Sequence, residues 1–531
     1  MAGPRDSSAA AIAGANSPVR PRLTWLTRLV QPALGSGDYD DAVSTLALRY
    51  THKYLILAIC CLSLLIVSMD ATIVNVALPS IGRELHSTIS GLQWTIDAYT
   101  LVLASLLMLS GSTADRIGRR RTFQLGLTLF GIGSLLCSVA PSVGWLVVFR
   151  MIQAVGGSML NPVAMSIITA TFTDRKQRAR AVGFWGAVVG VSLGLGPLVG
   201  GALTDSIGWR AIFWVNVPIA LAAIVLTALF VPESKSPRVR RFDPVGQTLV
   251  IFLFASLVGG LIEGPGLGWS SVATISLFAV TLLSLIGLLL YERQRREPLV
   301  DVRFFRSVPF SSAVLTAILA FASNGAFLFL VALYLQEVRG LTPFAAGLLT
   351  LPPAVAQLIC APLSGRLVAS VGTRLPLALS GIALAVGAGL LATITANTPT
   401  VFLLCAFGVF GIGLGLVNAP ITNTAVSGMP GAQVGSAAAI ASTSRQVGVS
   451  LGVALAGTLT GVGRVANVGS GFAEATHPVW WTLVGFAGVI VALAVIANSA
   501  VGQHSIDRIA YLFSEPVTGS RALAARSHGS V

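Results

Sequence analysis

Fourteen apolar stretches of about twenty residues, joined by short polar loops, leave this chain one solvent in which to fold. They lie at about 53–78, 91–112, 122–140, 143–170, 180–203, 211–231, 245–262, 272–290, 310–334, 344–369, 376–395, 400–423, 435–461 and 479–500. A helix of about twenty apolar residues crosses the hydrocarbon core of a bilayer, and within it every backbone amide must bond inside the segment. A soluble domain carries about a quarter of its residues as Asp, Glu, Lys and Arg. Here charged residues make up 10% of 531 and hydrophobic ones 54%. That much apolar surface has to face lipid, so the expected fold is all-α, integral to the membrane, with 14 transmembrane helices.

The net charge of +14 raises the question of nucleic acid. A nucleic-acid groove needs cations clustered on one face, and these are dispersed among short loops, so no nucleic-acid partner is expected. With the N-terminus in the cytoplasm, the inner loops hold nineteen Lys and Arg, including Arg116, Arg119, Arg120, Arg121, Arg175, Lys176, Arg178 and Arg180. The outer loops hold four: Arg83, Arg210, Arg339 and Arg464. This positive-inside pattern predicts a multi-pass protein of the cytoplasmic membrane with both termini inside. The uncharged loop near 424–434 is the one place where a lost span would invert the rest.

Residues 1–52 and 501–531 read as cytoplasmic tails, the first disordered and without an apolar leader. Within it, Leu23, Leu26, Leu29 and Val30 have the spacing of one amphipathic turn. Cys60, Cys61, Cys137, Cys360 and Cys405 all fall in apolar spans without metal-ligand spacing, and read as packing residues with no disulfide. The sequence has no phosphate-binding Walker A loop, no metal cluster and no His-based nucleophile. It therefore reads as a non-enzyme without a cofactor.

The segment Gly111-Ser-Thr-Ala-Asp115-Arg116-Ile-Gly118-Arg119-Arg120 returns 254 residues later as Gly365-Arg-Leu-Val-Ala369-Ser-Val-Gly372-Thr-Arg374. The same offset carries Asp70 onto Asn324. Residues 53–231 and 310–500 thus read as two related six-helix halves, with 232–309 an inserted two-helix hairpin and its flanking loops. Repeated halves with a substrate site between them are a transporter pattern.

Of twenty acidic residues, only Asp70 and Asp97 sit well inside a span. A charge at mid-membrane costs about 2.5–3.5 kcal/mol on insertion scales, so such groups face the protein interior and have a partner or a role. Arg150 is the evident cation. Arg150, Ala154, Gly157 and Asn161 share one helix face, whose small residues let another helix approach.

These residues identify the chain as resembling the major facilitator superfamily, in its fourteen-helix drug:proton antiporter branch, over residues 53–500. The resemblance rests on Leu65-Ile-Val-Ser-Met-Asp70-Ala-Thr72-Ile-Val-Asn75-Val-Ala-Leu-Pro79, on the loop at 111–120, and on Arg150-Met-Ile-Gln153-Ala-Val-Gly156-Gly157. It also rests on Gly183 followed by Gly196-Pro197-Leu-Val-Gly200-Gly201. Ala154 and Ser192 stand where the family usually has glycine.

The resemblance implies proton-coupled efflux of small amphipathic or cationic drugs by alternating access, with protons as the only coupling species and a monomer in the bilayer. It implies that Asp70, Asp97 and Arg150 couple the proton. An Asp70–Arg150 contact has two readings, a proton switch or a permanent ion pair that fixes packing. Asp97 has three: proton carrier, cation recognition or tuning of the site.

Gly111, Asp115, Arg116, Gly118 and Arg119 would form a conformational latch, or simply anchor the loop. Gly183, Gly196, Pro197, Gly200 and Gly201 would form the antiporter motif, or an ordinary proline kink. Arg445 would bond backbone carbonyls at the inner membrane edge. Trp209, Arg210, Phe213, Asn216 and Pro218 would form an outer structural corner. Candidate cavity residues are Asn75, Trp94, Tyr99, Gln153, Asn161, Asn324, Phe327, Tyr334, Gln357 and Asn418. Export of one endogenous metabolite or lipid, and import of a nutrient, are the alternatives.

Overall fold

The computed structural model describes residues 36–235, 243–295, 298–429, 433–461, 469, 471–500, 502 and 504–505, excepting the side chains of 36–51 and 189. The chain divides into two units, Met1–Leu55 and Ile56–Val531. In the first, residues from Ser36 onward are helical. This corrects the expectation that the whole of 1–52 is disordered. The amphipathic turn proposed at 23–30 and nearly all of the C-terminal tail lie outside the described residues.

Fourteen long helices follow in order: α1 (His52–Glu84), α2 (Ile89–Ile117), α3 (Arg119–Ser138), α4 (Val143–Thr171), α5 (Arg175–Ser206), α6 (Ala211–Phe230), α7 (Pro244–Leu267) and α8 (Val272–Glu292). Then come α9 (Val308–Val338), α10 (Pro343–Val371), α11 (Arg374–Leu391), α12 (Thr400–Val426), α13 (Val434–Thr460) and α14 (Phe472–Ala497). Among the described residues, twelve are long and apolar enough to cross a membrane. The two others, α3 and α13, have 20 and 27 residues and so sufficient length. They are more polar, because α3 opens on Arg119, Arg120 and Arg121 and α13 carries Arg445, Gln446 and many Gly, Ser and Thr.

Local chemistry explains several ends. Thr88 caps α2 by accepting from the Gly91 amide at 3.3 Å. Asp243 caps α7 by accepting from Gly246 at 3.0 Å, with Pro244 in the first turn where its missing amide costs nothing. The break between α2 and α3 falls at Gly118, whose φ of 120° suits glycine alone. The Glu233 carboxylate fits against that glycine and accepts from the amides of Arg120 and Arg121 at 3.2 and 3.3 Å. An acid at a helix N-terminus is favourable.

The packing pattern is repeated. α2 and α3 pack on α4 as α10 and α11 pack on α12, and α3 packs on α6 as α11 packs on α14. α7 and α8 form a hairpin, of which α7 packs on α2 and α13. On α8, Leu282, Leu283 and Leu290 are exposed.

The two groups of six helices meet near one end. There the Gln336 amide donates to Val76 O at 2.8 Å, and Arg83 lies 3.9 Å from Glu337. Gln336 and Glu337 sit in a π-helical turn, Tyr334–Val338, that ends α9. Wide turns of this kind are frequent at functional positions. α5 and α10 touch backbone to backbone: a Cβ on Gly201 would lie 2.5 Å from Pro343 O, and one on Gly347 2.4 Å from Pro197 O. Contact continues to Gly190, opposite Leu358. Beyond it, toward the arginine-rich end, Gly186 and Gly183 have no neighbour within 4 Å. The halves are therefore closed at the Arg83 end and separate along α5 toward the other.

Candidate functional site: a buried charge cluster and a seam acid

α1, α3, α4 and α6 enclose a polar cluster. Gly133 and Gly156 let α3 and α4 approach until a Cβ on either would overlap the opposite backbone at 2.5 and 2.3 Å. That closeness brings Ser134 to Gln153. Asp70 is 0% exposed and Arg150 1%. Arg150 Nη1 donates to Asp70 Oδ2 at 2.5 Å and to Gln153 Oε1 at 2.7 Å, and Nε donates to Thr95 O at 3.3 Å. The other carboxylate oxygen, Asp70 Oδ1, accepts from Gln153 Nε2 at 2.8 Å and Asn216 Nδ2 at 2.9 Å. Both amides also donate to Ser134 Oγ, at 3.2 and 3.1 Å. The Tyr99 ring lies 4.0 Å from the guanidinium carbon, on its face, and the Phe213 ring 5.7 Å away. Both oxygens of Asp70 are thus engaged by donors, one of them charged, and such charge-assisted bonds are the strong ones.

The expected Asp70–Arg150 contact is present, but three of its partners have other expected roles. Gln153 and Tyr99, predicted to line a cavity, belong to the cluster. Asn216, read as part of a structural corner, donates to Asp70 itself. Ser134 carried no sequence signal. Trp209 and Arg210 do form a corner, since both donate to Glu84.

Asp97, one face away on α2, differs. It is 0% exposed, and neither of its oxygens has a hydrogen-bond partner among the described residues. It faces α13, where the Ser450 hydroxyl is near enough to act on the carboxyl and is itself without a partner. One turn nearer the Arg83 end, Gln93 Nε2 crosses the same seam to Val453 O at 2.7 Å and Ala454 O at 3.2 Å. Gly457 leaves the room for that amide, since a Cβ there would lie 2.3 Å from it.

The remaining candidates scatter. Phe327 is buried against Phe407, Phe410 and Trp480 at 5.3, 4.7 and 6.4 Å between ring centres. Tyr334 is likewise in the core, donating to Thr395 O at 2.7 Å. Trp94 donates from its indole to Glu263 on α7 at 2.7 Å. Asn75 is buried and bonds Ala71 O and Thr72 O of its own helix. Asn161, Asn324, Gln357 and Asn418 are half-buried. Arg445 donates to the Thr422 hydroxyl at 2.6 Å, with the Phe321 ring 5.9 Å away, rather than to backbone carbonyls.

Gly196, Gly200 and Gly201 all sit at close approaches, against Thr72, Ile73 and Pro343, while Gly183 faces open space. In the loop at 111–119, Asp115 forms no ion pair with a described residue. Glu233 lies against Gly118 and engages Arg120 and Arg121 just after this loop.

Residues 60–453 match the Major Facilitator Superfamily. The chain is 36% identical over 398 residues to the multidrug resistance protein Stp of Mycobacterium tuberculosis, covering 75% of this chain and 74% of that one. It is 35% identical over 406 residues to the tetracenomycin C resistance and export protein of Streptomyces glaucescens, covering 76% and 75%. It is 34% identical over 415 residues to the multidrug efflux pump LfrA of Mycolicibacterium smegmatis, covering 77% and 81%. Among solved structures, a peptide transporter of the POT type superposes with a TM-score of 0.62 at 13% identity, over 84% of this chain and 95% of that one. That likeness is one of fold alone. Helix pattern, repeated packing and sequence agree: this chain is a multi-pass membrane protein of the Major Facilitator Superfamily, in its drug-efflux family.

Proposed function

We propose that the chain exports small amphipathic, often cationic, compounds in exchange for protons, by rocking its two halves about a site between them. The observation that carries this reading is the one-ended closure. The halves touch at the Arg83 end through glycine-lined contacts of α5 and α10 and part toward the arginine-rich end. Small residues that allow close backbone contact make a crossing that can close at either end. Two buried acids supply groups able to couple a proton. The relatives named as multidrug and antibiotic efflux proteins support the substrate class.

In this reading all fourteen helices span, α7–α8 is an insertion between the halves, and the chain works as a monomer. Both termini and the arginine-rich loops face the cytoplasm, in keeping with the positive-inside rule. The conformation described is then open to the cytoplasm. The test uses proteoliposomes containing a pH-sensitive dye, challenged with ethidium and a panel of other lipophilic cations. Drug-triggered proton movement is expected. Pro197→Leu, which removes the proline beside the α5–α10 contact, should cut export at least tenfold while the protein still inserts. Normal export by that variant would remove the case for a rocking crossing at α5.

A second reading, export of one endogenous compound, is favoured by the similarity to a protein named for tetracenomycin C export. Absence of proton movement with every lipophilic cation would select it.

A further inference from the structure

We propose that Asp97, and not Asp70, takes up and releases the coupled proton, in a seam between α2 and α13 that the Gln93 side chain closes. The inference rests on the reading of proton-coupled export and assigns its proton.

The two acids are equally buried and oppositely provided for. Asp70 accepts three hydrogen bonds, one each from Arg150, Gln153 and Asn216, and the two amides are themselves fixed by donating to Ser134 Oγ. Protonating it would strand Arg150 as an uncompensated cation between α1 and α4. Among the described residues Asp97 has no ion pair and no hydrogen bond to either oxygen, only the Ser450 hydroxyl beside it. An ionised carboxylate so placed is far more costly than the neutral acid. In this conformation Asp97 therefore carries a proton.

The charges on neighbouring helices are engaged elsewhere. Arg150, on α4, meets α2 at Thr95 and Tyr99, on the other side of that helix. Glu263, on α7, accepts from the Trp94 indole. Arg445, on α13, donates to Thr422.

The seam is also built to open. α2 belongs to the first half and α13 to the second, so rocking the halves separates the two walls of the Asp97 site. Gln93 bonds α13 one turn nearer the Arg83 end and lies between Asp97 and that opening. The hairpin covers the lateral edge: Val258 and Ile262 of α7 pack with Leu101 and Ala454 into one buried cluster. This gives α7 a purpose, to keep lipid and water from the seam while it is shut. When the Arg83 end opens, the Gln93 bonds break and water reaches the carboxyl. The O–H proton then exchanges with water, leaving the carboxylate when it departs. The seam can shut again only after the carboxylate has taken a proton back, and this ties closure to one proton.

Two measurements test this. Infrared spectra of the purified protein in lipid, near neutral pH, should show the carbonyl band of a protonated carboxylic acid. The band should vanish in Asp97→Asn, persist in Asp70→Asn, and shift in Ser450→Ala. Absence of the band in wild type, or its survival in Asp97→Asn, overturns the proposal without use of any substrate. In the proteoliposomes, Asp97→Asn protein whose melting temperature matches wild type should lose drug-triggered proton movement, to the level of protein-free vesicles. If wild type moves protons and Asp97→Asn does too, this inference fails and the exporter reading stands. If wild type moves none with any lipophilic cation, the drug-export reading gives way to export of one endogenous compound, and the infrared result alone decides where the buried proton sits.

Discussion

The two six-helix halves share a packing pattern, yet fill the same space with opposite chemistry. Between α1, α3, α4 and α6 lie Asp70, Ser134, Arg150, Gln153 and Asn216, all buried and hydrogen-bonded. Between α9, α12 and α14 lie Phe327, Phe407, Phe410 and Trp480, stacked or edge to face. The repeat offset of 254 carries Gln153 onto Phe407 and Arg150 onto Leu404. An aromatic cluster tolerates small shifts, because dispersion contacts are many and individually weak. A charge cluster does not, because each donor has one place to be. The comparison assigns the rigid frame of the first half to Asp70 and Arg150, and leaves Asp97, outside both clusters, as the group free to change its charge.

The sharpest way to break this contrast is Arg150→Met. Stranding Asp70 should cost about 3–5 kcal/mol, read as a large fall in the melting temperature of the protein in detergent. Adding Asp70→Leu should restore part of the loss, since an apolar pair replaces the ion pair. A double variant no more stable than the single would show that the cluster is not an electrostatic unit.

In the other half, Phe327→Leu should cost only ~1.5 kcal/mol, because the change is nearly volume-conserving. Coupling of proton to drug should be untouched. A loss of coupling with stability retained would mean that the aromatic cluster is more than packing.

The smallest effect is expected at the contact between the halves. Gln336→Ala removes one buried hydrogen bond to Val76 O, worth about 1 kcal/mol. It should shift the population toward opening at the Arg83 end, seen as a longer distance between spin labels at Arg83 and Glu337. An unchanged distance distribution would show that α5 and α10 alone hold that end shut.

Much of this was legible in the chain. Hydropathy marks twelve of the fourteen long helices, with α3 and α13 more polar, and the copied Gly111 and Gly365 segments fall at matching places in the two groups of six. Asp70 and Arg150 stand out because a charge in an apolar span is costly wherever it points. Ser134 did not stand out, and Asn216 did so only as a corner residue, since a lone Asn or Ser in a span has many uses. Phe327 and Tyr334 are buried in the core of the conformation described, and an aromatic residue at mid-span has the same sequence signal whether it faces a cavity or a core.

What the sequence determined by itself is which segments leave water, in what order, and with which charges inside them. These are local properties, set by the cost of exposing backbone and charge to hydrocarbon. What only the tertiary structure decided is partnership. Asp70 meets Arg150 across 80 residues and Asn216 across 146, while Asp97, equally buried, has no hydrogen-bond donor on either oxygen among the described residues. That outcome depends on the rotation and depth of each helix against its neighbours, which packing across the whole fold fixes and no single span encodes.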